Sequence, residues 1–564
     1  MTAPSSAYAG ALLTEFVRLG VSDIVVAPGS RSQALALAAA ELDRVGAVRL
    51  HVRFDERVAG FLALGLSLET GRPTIVVTTS GTAVAELHPA VLEAHHSGVP
   101  LILLTADRPE ELHGIAANQT TTHIGAYGDA VRRTFDVGAP IGEPGELEVA
   151  AALAAAAVAA VRGVDGATGR LSTGPVHVNV AFTEPLSSAW TPGEVQLASV
   201  PIPEPARELV VERLAPTKRT VVIAGSGAGA VAEETARALD APLFAEVASG
   251  ARFGPNLAVP YREIIRDEDF LDGLERIIVY GRPTLSREVP WLIARGSAET
   301  IVVRSTGAED PNPGHTVTRF VDAIEVVRGA DDESHASMWL GPIVAASRAH
   351  LAQQEDLAPD VFGGAKEKAQ RELAAVRAPI TRRALVEAVW RATWPQDRLV
   401  LASSRLVRVL DQWATGKRVT VHANRGLAGI DGNTATALGV ALASQLAVPG
   451  SPSQPTAGVT RLLTGDLAFL HDVGALALPA DEPHPRIQII VGNDHGGTIF
   501  DDLEVAQQAG DTFDRVMLTP QQVDIERLAA AYGWSYRRVE KRGDLDPAFS
   551  AVDGPTIVEV PLDR

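Results

Sequence analysis

Cysteine is absent from the 564 residues of the chain, and its absence excludes disulfide bonds, thiolate metal sites and cysteine nucleophiles. Long apolar runs are absent too: no stretch approaches about 18 residues without a polar interruption, and no basic segment followed by an apolar core stands near the first residue. The sequence therefore predicts a cytoplasmic protein without membrane insertion. Basic residues are fewer than acidic ones, 50 against 69, and the resulting net charge of −19 argues against nucleic acid or an anionic membrane as a partner.

The chain does contain short apolar strands that alternate with helical segments. Examples are DIVVAPGS, TIVVTTSG and PLILLTAD in its first third, and RLLTGD and RIQIIVGND in its last third. Apolar runs of this length, separated by helices, indicate parallel sheets covered on both faces. The length suits about three domains. The predicted fold class is therefore α/β, with three doubly wound domains of mainly parallel sheets, the first and the last alike in layout.

The predicted domain boundaries follow changes in composition. A stretch that contains Pro and Glu without sustained periodicity indicates a linker, and a long helical pattern separates the later domains. We predict a first block (1–187), a linker (188–208), a central block (209–335), a helical connector (336–380) and a third block (381–564).

Acidic residues follow two apolar strands of the third block at the point where each strand ends. Asp466 closes the strand in RLLTGDLAF, and RIQIIVGNDHGG delivers Asn493 and Asp494 beside two glycines. Mg²⁺ prefers oxygen ligands and usually takes one or two carboxylates, which leaves positions for phosphate oxygens and water. Glycines let the backbone approach a ligand. The pattern predicts a magnesium ion that holds a diphosphate, and the alternative is a pair of ordinary loop acids.

Glu56 stands at the end of a strand and the start of a helix in LHVRFDERVAG. Open α/β sheets bind their ligands at such positions. Taken alone, however, Glu56 is better explained as an acid that stabilises the helix start through the helix dipole.

A glycine-rich turn in the central block suggests a different hypothesis. Gly225, Gly227 and Ala230 in VVIAGSGAGA fit the G-x-G-x-x-A pattern between a strand and a helix, and the helix N-terminus could hold a pyrophosphate. Any tight strand-to-helix turn also needs small residues, so this is the weaker of the glycine motifs.

Nine short segments resemble those of thiamin-diphosphate enzymes of the decarboxylase group, and more narrowly the 2-succinyl-5-enolpyruvyl-6-hydroxy-3-cyclohexene-1-carboxylate synthases of menaquinone biosynthesis. The chain departs from the common pattern at Leu467, where many such enzymes have Gly, at Asp494, where most have Asn, and at Ser286, where this family usually has a basic residue. The matching segments, in the family's order, are APGSRSQALA (27–36), RFDERVAG (53–60), TTSGTAVAEL (78–87), LTADRPEEL (104–112), ANQT (117–120), SSRLVR (403–408), ANRGLAGIDG (423–432), GDLAFLHD (465–472) and NDHGGTIF (493–500).

The resemblance implies a thiamin-diphosphate-binding fold in which the first block binds the aminopyrimidine and the third block binds the diphosphate through Mg²⁺, with Mn²⁺ as a substitute. It implies that Glu56 is the catalytic residue, hydrogen-bonded to N1′ of the aminopyrimidine. It also implies a transferase reaction: decarboxylation of 2-oxoglutarate and 1,4-addition of the resulting succinyl-semialdehyde carbanion equivalent to isochorismate.

A set of site residues comes with the resemblance. The metal ligands would be Asp466, Asp494 and Gly496, the last through its backbone carbonyl. The cofactor would contact Glu56, Ser80, Gly81, Thr82, Ile430, Gly465, Asp466 and Leu467. The substrates would contact Ser30, Arg31, Ser32, Arg108, Gln119, Arg287, Ser404, Arg408, Arg425, Ile499, Phe500 and Leu503.

The arginines of this set suit the implied substrates, which carry two carboxylates each. Four of them follow strand ends, and arginine binds carboxylates bidentately where lysine acts as a point charge. For any single arginine, a solvated charge or an ion-pair partner is an equal explanation. Ile430 likewise fits core packing as well as a wedge against the cofactor, and the apolar residues from 499 to 503 also fit a helix packing face.

The resemblance also implies how subunits assemble. Glu56 and Asp466 must reach opposite ends of one cofactor, although a whole central block separates them in the chain. In thiamin enzymes of this architecture two subunits supply them, so we predict a two-fold homodimer or a homotetramer that contains such dimers.

Two other hypotheses stay open. One is an acetolactate-synthase-like carboligase with a flavin on GSGAGA. The other is a non-catalytic carboxylate-binding protein of the same fold.

Overall fold

The computed structural model describes residues 2–163, 169, 171–193, 207–329, 333–353, 365–449, 458–550 and 552–564. Their strands form sheets of six, five and six strands and one of two strands, and every pairing between strands is parallel. This confirms the predicted α/β class with doubly wound parallel sheets.

The first block contains a six-stranded sheet whose central strands are buried on both faces, because helices cover both sides. The strands are β1 (Asp23–Val26), β2 (Arg49–Val52), β3 (Thr74–Thr79), β4 (Leu101–Asp107), β5 (Thr134–Val137) and β6 (Val176–Ala181). The helices are α1 (Pro4–Arg18), α2 (Gln33–Arg44), α3 (Glu56–Thr70), α4 (Gly81–Glu86), α5 (His88–Ser97) and α6 (Glu146–Val161). The spatial order of the strands is β2-β1-β3-β4-β6-β5.

The central block contains a five-stranded sheet and a two-stranded sheet. Its strands are β7 (Val211–Leu214), β8 (Thr220–Ala224), β9 (Leu243–Ala245), β10 (Arg276–Tyr280), β11 (Glu299–Val303), β12 (Arg319–Val321) and β13 (Ala323–Val326). The orders are β12-β11-β10-β8-β9 and β13-β7. Its helices are α7 (Val231–Ala238), α8 (Tyr261–Ile265), α9 (Glu268–Gly273) and α10 (Glu288–Ala294), and two more, α11 (Glu333–Leu351) and α12 (Ala365–Arg377), follow them.

The third block repeats the layout of the first. Its strands are β14 (Arg398–Leu401), β15 (Thr420–His422), β16 (Thr460–Gly465), β17 (Ile487–Asn493), β18 (Ser535–Arg538) and β19 (Thr556–Pro561), in the order β15-β14-β16-β17-β19-β18. This is the order of the first sheet counted from β14, so the predicted likeness of the two blocks is confirmed. The helices are α13 (Arg382–Ala392), α14 (Arg405–Trp413), α15 (Asn433–Gln445), α16 (Asp466–His471), α17 (Glu504–Gln508), α18 (Ile525–Ala531) and α19 (Leu545–Ala548).

The predicted domain boundaries stay predictions. Helices α11 and α12 occupy part of the predicted connector, whose residues 354–364 lie outside the described residues, as do residues 194–206 of the predicted linker. Among the described helices, none has both the length and the apolar character needed to cross a membrane.

Helices α3 and α15 join the cores of the first and third blocks. They cross at two glycines: a Cβ on Gly65 would lie 2.1 Å from the carbonyl oxygen of Thr436, and a Cβ on Gly439 would lie 2.2 Å from that of Leu62. Glycine therefore lets the two backbones touch, and residues of both helices belong to one apolar cluster.

We expect Gly439→Ala to destabilise the protein although alanine is the better helix former. Elsewhere in a helix this change stabilises by roughly 0.5–1 kcal/mol, but here the methyl group must push two helices apart, which costs about 1–3 kcal/mol. Thermal unfolding measures the effect. Gly138→Ala is the control, because a Cβ at Gly138 meets no atom within 4 Å. An unchanged or raised melting temperature for Gly439→Ala would contradict the packing argument.

Candidate active site

The two predicted carboxylates lie at the same edge of the third sheet. In the parallel neighbours β16 and β17, Gly465 pairs with Gly492, so both strands end together. Asp466 begins α16 directly after β16 and is 3% exposed. Burial, and then the negative charge of Asp494, raise the pKa of Asp466 to about 6. Two neighbouring carboxylates fit a divalent cation, because it would offset both charges.

Hydrogen bonds explain why Asp494, and not its neighbour Asn493, faces the adjoining cavity. The Asn493 amide nitrogen donates to Glu559 Oε1 at 2.7 Å, and its side-chain oxygen accepts from a backbone amide two residues on. Asp494 lines the cavity, while Arg382 Nη2 and the Thr498 hydroxyl donate to its Oδ2. The substitution of Asp for the Asn common in thiamin enzymes therefore keeps an oxygen at the predicted metal position.

Gly496 closes the loop after Asp494 with a φ of +150°. A Cβ there would lie 2.5 Å from the carbonyl oxygen of Leu518, so the loop can follow this path only with glycine. Among the described residues, no group of three or more His, Asp or Glu side chains could hold a metal. A cation at the two carboxylates therefore needs further oxygens from the backbone, water or a ligand.

A cavity of about 410 Å³ adjoins the carboxylates. Ser404 belongs to the cavity wall, and its hydroxyl oxygen is buried without a hydrogen-bond partner in the described part of the chain. The cavity wall includes eleven of the predicted site residues, namely Ser404, Arg408, Arg425, Ile430, Gly465, Asp466, Leu467, Asp494, Gly496, Ile499 and Phe500. The structure thus gathers most of the predicted third-block residues around one cavity.

Three arginines, Arg405, Arg408 and Arg425, line this cavity. Partial burial and three neighbouring arginines, Arg262, Arg287 and Arg425, lower the pKa of Arg408. Clustered cations in a chain of net negative charge favour an anionic ligand. Arg287 lies directly before α10, and its positive charge is one of those that lower the pKa of Arg408. Two predicted substrate ligands, Arg287 and Leu503, do not belong to the described cavity wall. Arg262, which the sequence did not single out, pairs with buried Asp411 at 2.8 Å and does not line the cavity.

The predicted first-block residues form a second cluster. Arg108 donates from Nη1 to the Gln119 carbonyl and from Nη2 to its side-chain oxygen, both at 3.3 Å. Burial and nearby Arg31 lower the pKa of Arg108, so these two cations are close. Ser30 is exposed, but the hydroxyl of buried Ser32 already donates to the Gly29 carbonyl at 3.1 Å. The roles of both serines toward a substrate stay predictions.

Glu56 is the first residue of α3, and Asp55 caps the helix by accepting from the amide of Val58. Burial first, and then the negative charges of Asp55 and Glu86, raise the pKa of Glu56. A carboxyl group that keeps its proton more readily suits a hydrogen bond to a ring nitrogen. The segment from Ser80 to Thr82, where β3 ends and α4 begins at the same sheet edge, is half-buried to exposed.

The two clusters do not meet within one chain. Every residue of the cavity wall comes from the central or the third block, and within the described residues none comes from the first block. The charges that shift the pKa of Glu56 do not include Asp466, and those that shift the pKa of Asp466 do not include Glu56. One chain therefore presents two separate groups of site residues.

The glycine-rich turn of the central block has a structural explanation. A Cβ on Gly225 would lie 2.1 Å from the backbone of Arg282 and Pro283, and Ser226 pairs with Arg282 in an isolated bridge. The segment 281–283 thus packs against the first glycine of the turn. Close approach of backbone explains Gly225, and a φ of +80° explains Gly227, so the path of the turn itself requires both glycines.

Comparison with known proteins identifies the family of the chain. Residues 8–127 match the family model described as thiamine pyrophosphate enzyme, N-terminal TPP binding domain, and residues 412–560 match that of the C-terminal TPP binding domain. The 2-succinyl-5-enolpyruvyl-6-hydroxy-3-cyclohexene-1-carboxylate synthase of Leifsonia xyli subsp. xyli (strain CTCB07) is 54% identical over 582 aligned residues, which cover 100% of this chain and 97% of the relative. Proteins of the same name from Clavibacter michiganensis subsp. michiganensis (strain NCPPB 382) and Thermobifida fusca (strain YX) are 53% and 36% identical, with 100% of this chain and 97% and 96% of the relatives covered. The chain therefore belongs to the 2-succinyl-5-enolpyruvyl-6-hydroxy-3-cyclohexene-1-carboxylate synthases, a family of thiamin-diphosphate-dependent enzymes.

Proposed function

We propose that the chain decarboxylates 2-oxoglutarate and adds the remaining four-carbon unit to isochorismate, with thiamin diphosphate and Mg²⁺ as cofactors, in menaquinone biosynthesis. The observation that carries the proposal is the pair Asp466 and Asp494 beside a cavity surrounded by arginines. The family names of the relatives support the choice of reaction. The cytoplasmic location predicted from the sequence stays a prediction.

The third block would hold the cofactor by its diphosphate end. Asp466 and Asp494 would bind Mg²⁺, or Mn²⁺ in its place, by side-chain oxygens, and Gly496 would bind it by its backbone carbonyl. When bound, thiamin diphosphate supplies a nucleophilic carbon and an electron sink for loss of CO₂. Ile430 on the cavity wall would contact the bound cofactor.

The first block would act on the cofactor's pyrimidine through Glu56. Its carboxyl group would hold a proton against the ring nitrogen N1′, and the raised pKa supports this role. The loop Ser80–Thr82 at the same sheet edge would line the ring.

The arginines would bind the carboxylates of the two substrates. Arg408 and Arg425 belong to the cavity beside the metal site, while Arg31 and Arg108 belong to the first-block cluster with Gln119. Apolar Ile499 and Phe500 would exclude water from the reacting carbon atoms.

A complete site would need a second copy of the chain. Glu56 and Asp466 lie in groups that do not meet within one chain, so a two-fold dimer would bring the first-block group of one chain to the cavity of its partner. Exposed apolar side chains flank both groups, with Phe54 72% exposed beside Glu56 and Leu427 53% exposed beside the cavity loop. A homotetramer would pair two such dimers.

We expect alanine in place of Arg31, Arg108, Arg408 or Arg425 to lower kcat/KM for one of the two substrates. A lost charge-assisted hydrogen bond costs about 1.5–3 kcal/mol, or roughly ten- to a hundredfold. Arg18→Ala, a change of an exposed arginine on α1, is the control. The assignment fails if kcat/KM for both substrates stays unchanged while the variants fold and bind the cofactor.

The reaction itself is tested by incubating the protein with thiamin diphosphate, Mg²⁺, 2-oxoglutarate and isochorismate. We expect CO₂ and the carboxylate adduct in equal amounts. Turnover of pyruvate without use of isochorismate would favour the acetolactate-synthase-like alternative. Binding of 2-oxoglutarate with no turnover would favour the non-catalytic alternative.

A further inference from the structure

One buried carboxyl group lies behind the cavity wall and takes no part in the function proposed above. Glu246 follows β9 and is 1% exposed. Its Oε1 accepts from the backbone amide of Leu285 at 2.8 Å, and its Oε2 is buried without a hydrogen-bond partner among the described residues. Leu285 and the preceding Thr284 are the central block's contribution to the cavity wall.

The same segment of backbone holds a predicted substrate ligand from the opposite side. Arg425 donates from Nη2 to the Thr284 carbonyl at 2.8 Å and from Nε to its hydroxyl at 3.1 Å. A continuous series of contacts therefore runs from Glu246 through residues 284–285 to the guanidinium of Arg425. Any shift of this segment would move that guanidinium relative to the cavity.

The segment also has other contacts. Gly225 and Gly281 allow its beginning to touch the turn after β8, and Arg282 donates to the carbonyl oxygens of His96 in the first block and Gly426 in the third. The Leu285 side chain packs against an apolar cluster of the third block, which leaves its backbone amide to be fixed separately. Within the described residues, Glu246 is the side chain from the core of the central block that fixes the backbone amide of Leu285.

Burial and the neighbouring Asp411 favour the neutral form of the Glu246 carboxyl group. Burial first, and then Asp411 on α14, raise the pKa of Glu246 to about 8, although Arg425 and the backbone amides oppose this shift. Arg252 and Tyr261 also face it. Asp411 is itself satisfied, since it accepts from the Val247 amide and the Tyr261 hydroxyl. A neutral carboxyl group avoids the cost of a buried charge and still accepts the Leu285 hydrogen bond.

We propose that Glu246 is a positioning residue, which holds segment 284–285 against Arg425 and so places that guanidinium for a substrate carboxylate. The proposal rests on the proposed function, because it takes Arg425 to be a substrate ligand. It gives the central block a part in substrate binding, since its core then sets the position of a side chain of the third block.

The test compares Glu246→Ala with Glu246→Gln in the full-length protein loaded with thiamin diphosphate and Mg²⁺. Alanine removes the acceptor for Leu285, and we expect KM for one of the two substrates to rise about ten- to a hundredfold, as for other small displacements of binding groups. Glutamine is neutral and keeps an acceptor oxygen, so it should restore most of the loss. Glu233→Ala is the control, because it removes a buried glutamate of the same block on α7.

Hydrogen–deuterium exchange supplies a second readout that does not depend on activity. The Leu285 amide should exchange faster in Glu246→Ala than in the wild type, in Glu246→Gln or in the control. If the alanine variant does not fold, Glu246→Asp replaces it in the test. This variant keeps a carboxyl group but withdraws it from Leu285, so it should raise KM and speed exchange of the Leu285 amide in the same way.

Unchanged exchange at Leu285, faster exchange with unchanged KM for both substrates, or a glutamine variant as impaired as alanine would each overturn the proposal. If the wild type does not turn over these substrates, the proposed function fails instead. Exchange at Leu285 then still decides whether Glu246 holds the segment.

Discussion

Replacement of Asp466 by alanine should abolish the metal-dependent binding of thiamin diphosphate. Its buried carboxylate is one of two at the end of neighbouring strands, and no third acidic or histidine side chain in the described residues could take its place. Truncation of one member of a buried charge pair costs about 2–5 kcal/mol, or roughly thirty- to several thousandfold in affinity. Titration calorimetry with thiamin diphosphate, with and without Mg²⁺, measures this loss.

The same experiment needs a variant of similar charge change outside the site. Asp511→Ala removes an exposed carboxylate of the same block and should leave the Mg²⁺-dependent affinity unchanged. Normal cofactor affinity in Asp466→Ala would show that the metal lies elsewhere.

Replacement of Glu56 by glutamine should leave cofactor binding intact and remove most of the activity. Glutamine keeps the size of the side chain but has no carboxyl proton to hold against the pyrimidine nitrogen. Loss of a positioned acid–base group lowers the rate by about 100- to 10,000-fold. We expect the loss in kcat, measured by CO₂ release, with thiamin diphosphate affinity close to that of the wild type.

Glu41→Gln serves as the matched control, because Glu41 is a surface residue of the same block that pairs with Arg44. It should retain wild-type activity. A Glu56→Gln enzyme with normal kcat would remove Glu56 from the mechanism, and one without cofactor affinity would make it a binding residue instead.

The sequence predicted those parts of the molecule that depend on local pattern. Apolar runs between helices located the strands, and acids at strand ends located Asp466 and Asp494, because parallel strands end at a common edge. The short segments that resemble the synthase family identified the residues around the cavity, and the relatives confirmed the family.

Contacts between distant segments could not be predicted in the same way. Asp494 and not Asn493 faces the cavity because Asn493 is hydrogen-bonded to Glu559. Arg262 affects the pKa of Arg408 because the central block packs on α14, where Arg262 pairs with Asp411. The structural reason for Gly225 lies in segment 281–283, whose backbone packs against it. Each of these facts joins residues far apart in the chain, and such pairs leave no periodic pattern in a single sequence.

Glu56 of one chain and Asp466 of another should complete one site, and mixed dimers test this assembly. Glu56→Gln and Asp466→Ala chains, each inactive alone, are combined in equal amounts under conditions where mass spectrometry verifies subunit exchange. In a random mixture half of the dimers are mixed and each has one intact site of two, so about a quarter of wild-type activity should return. No recovery after verified exchange would show that both residues serve a site within one chain, and would contradict the account.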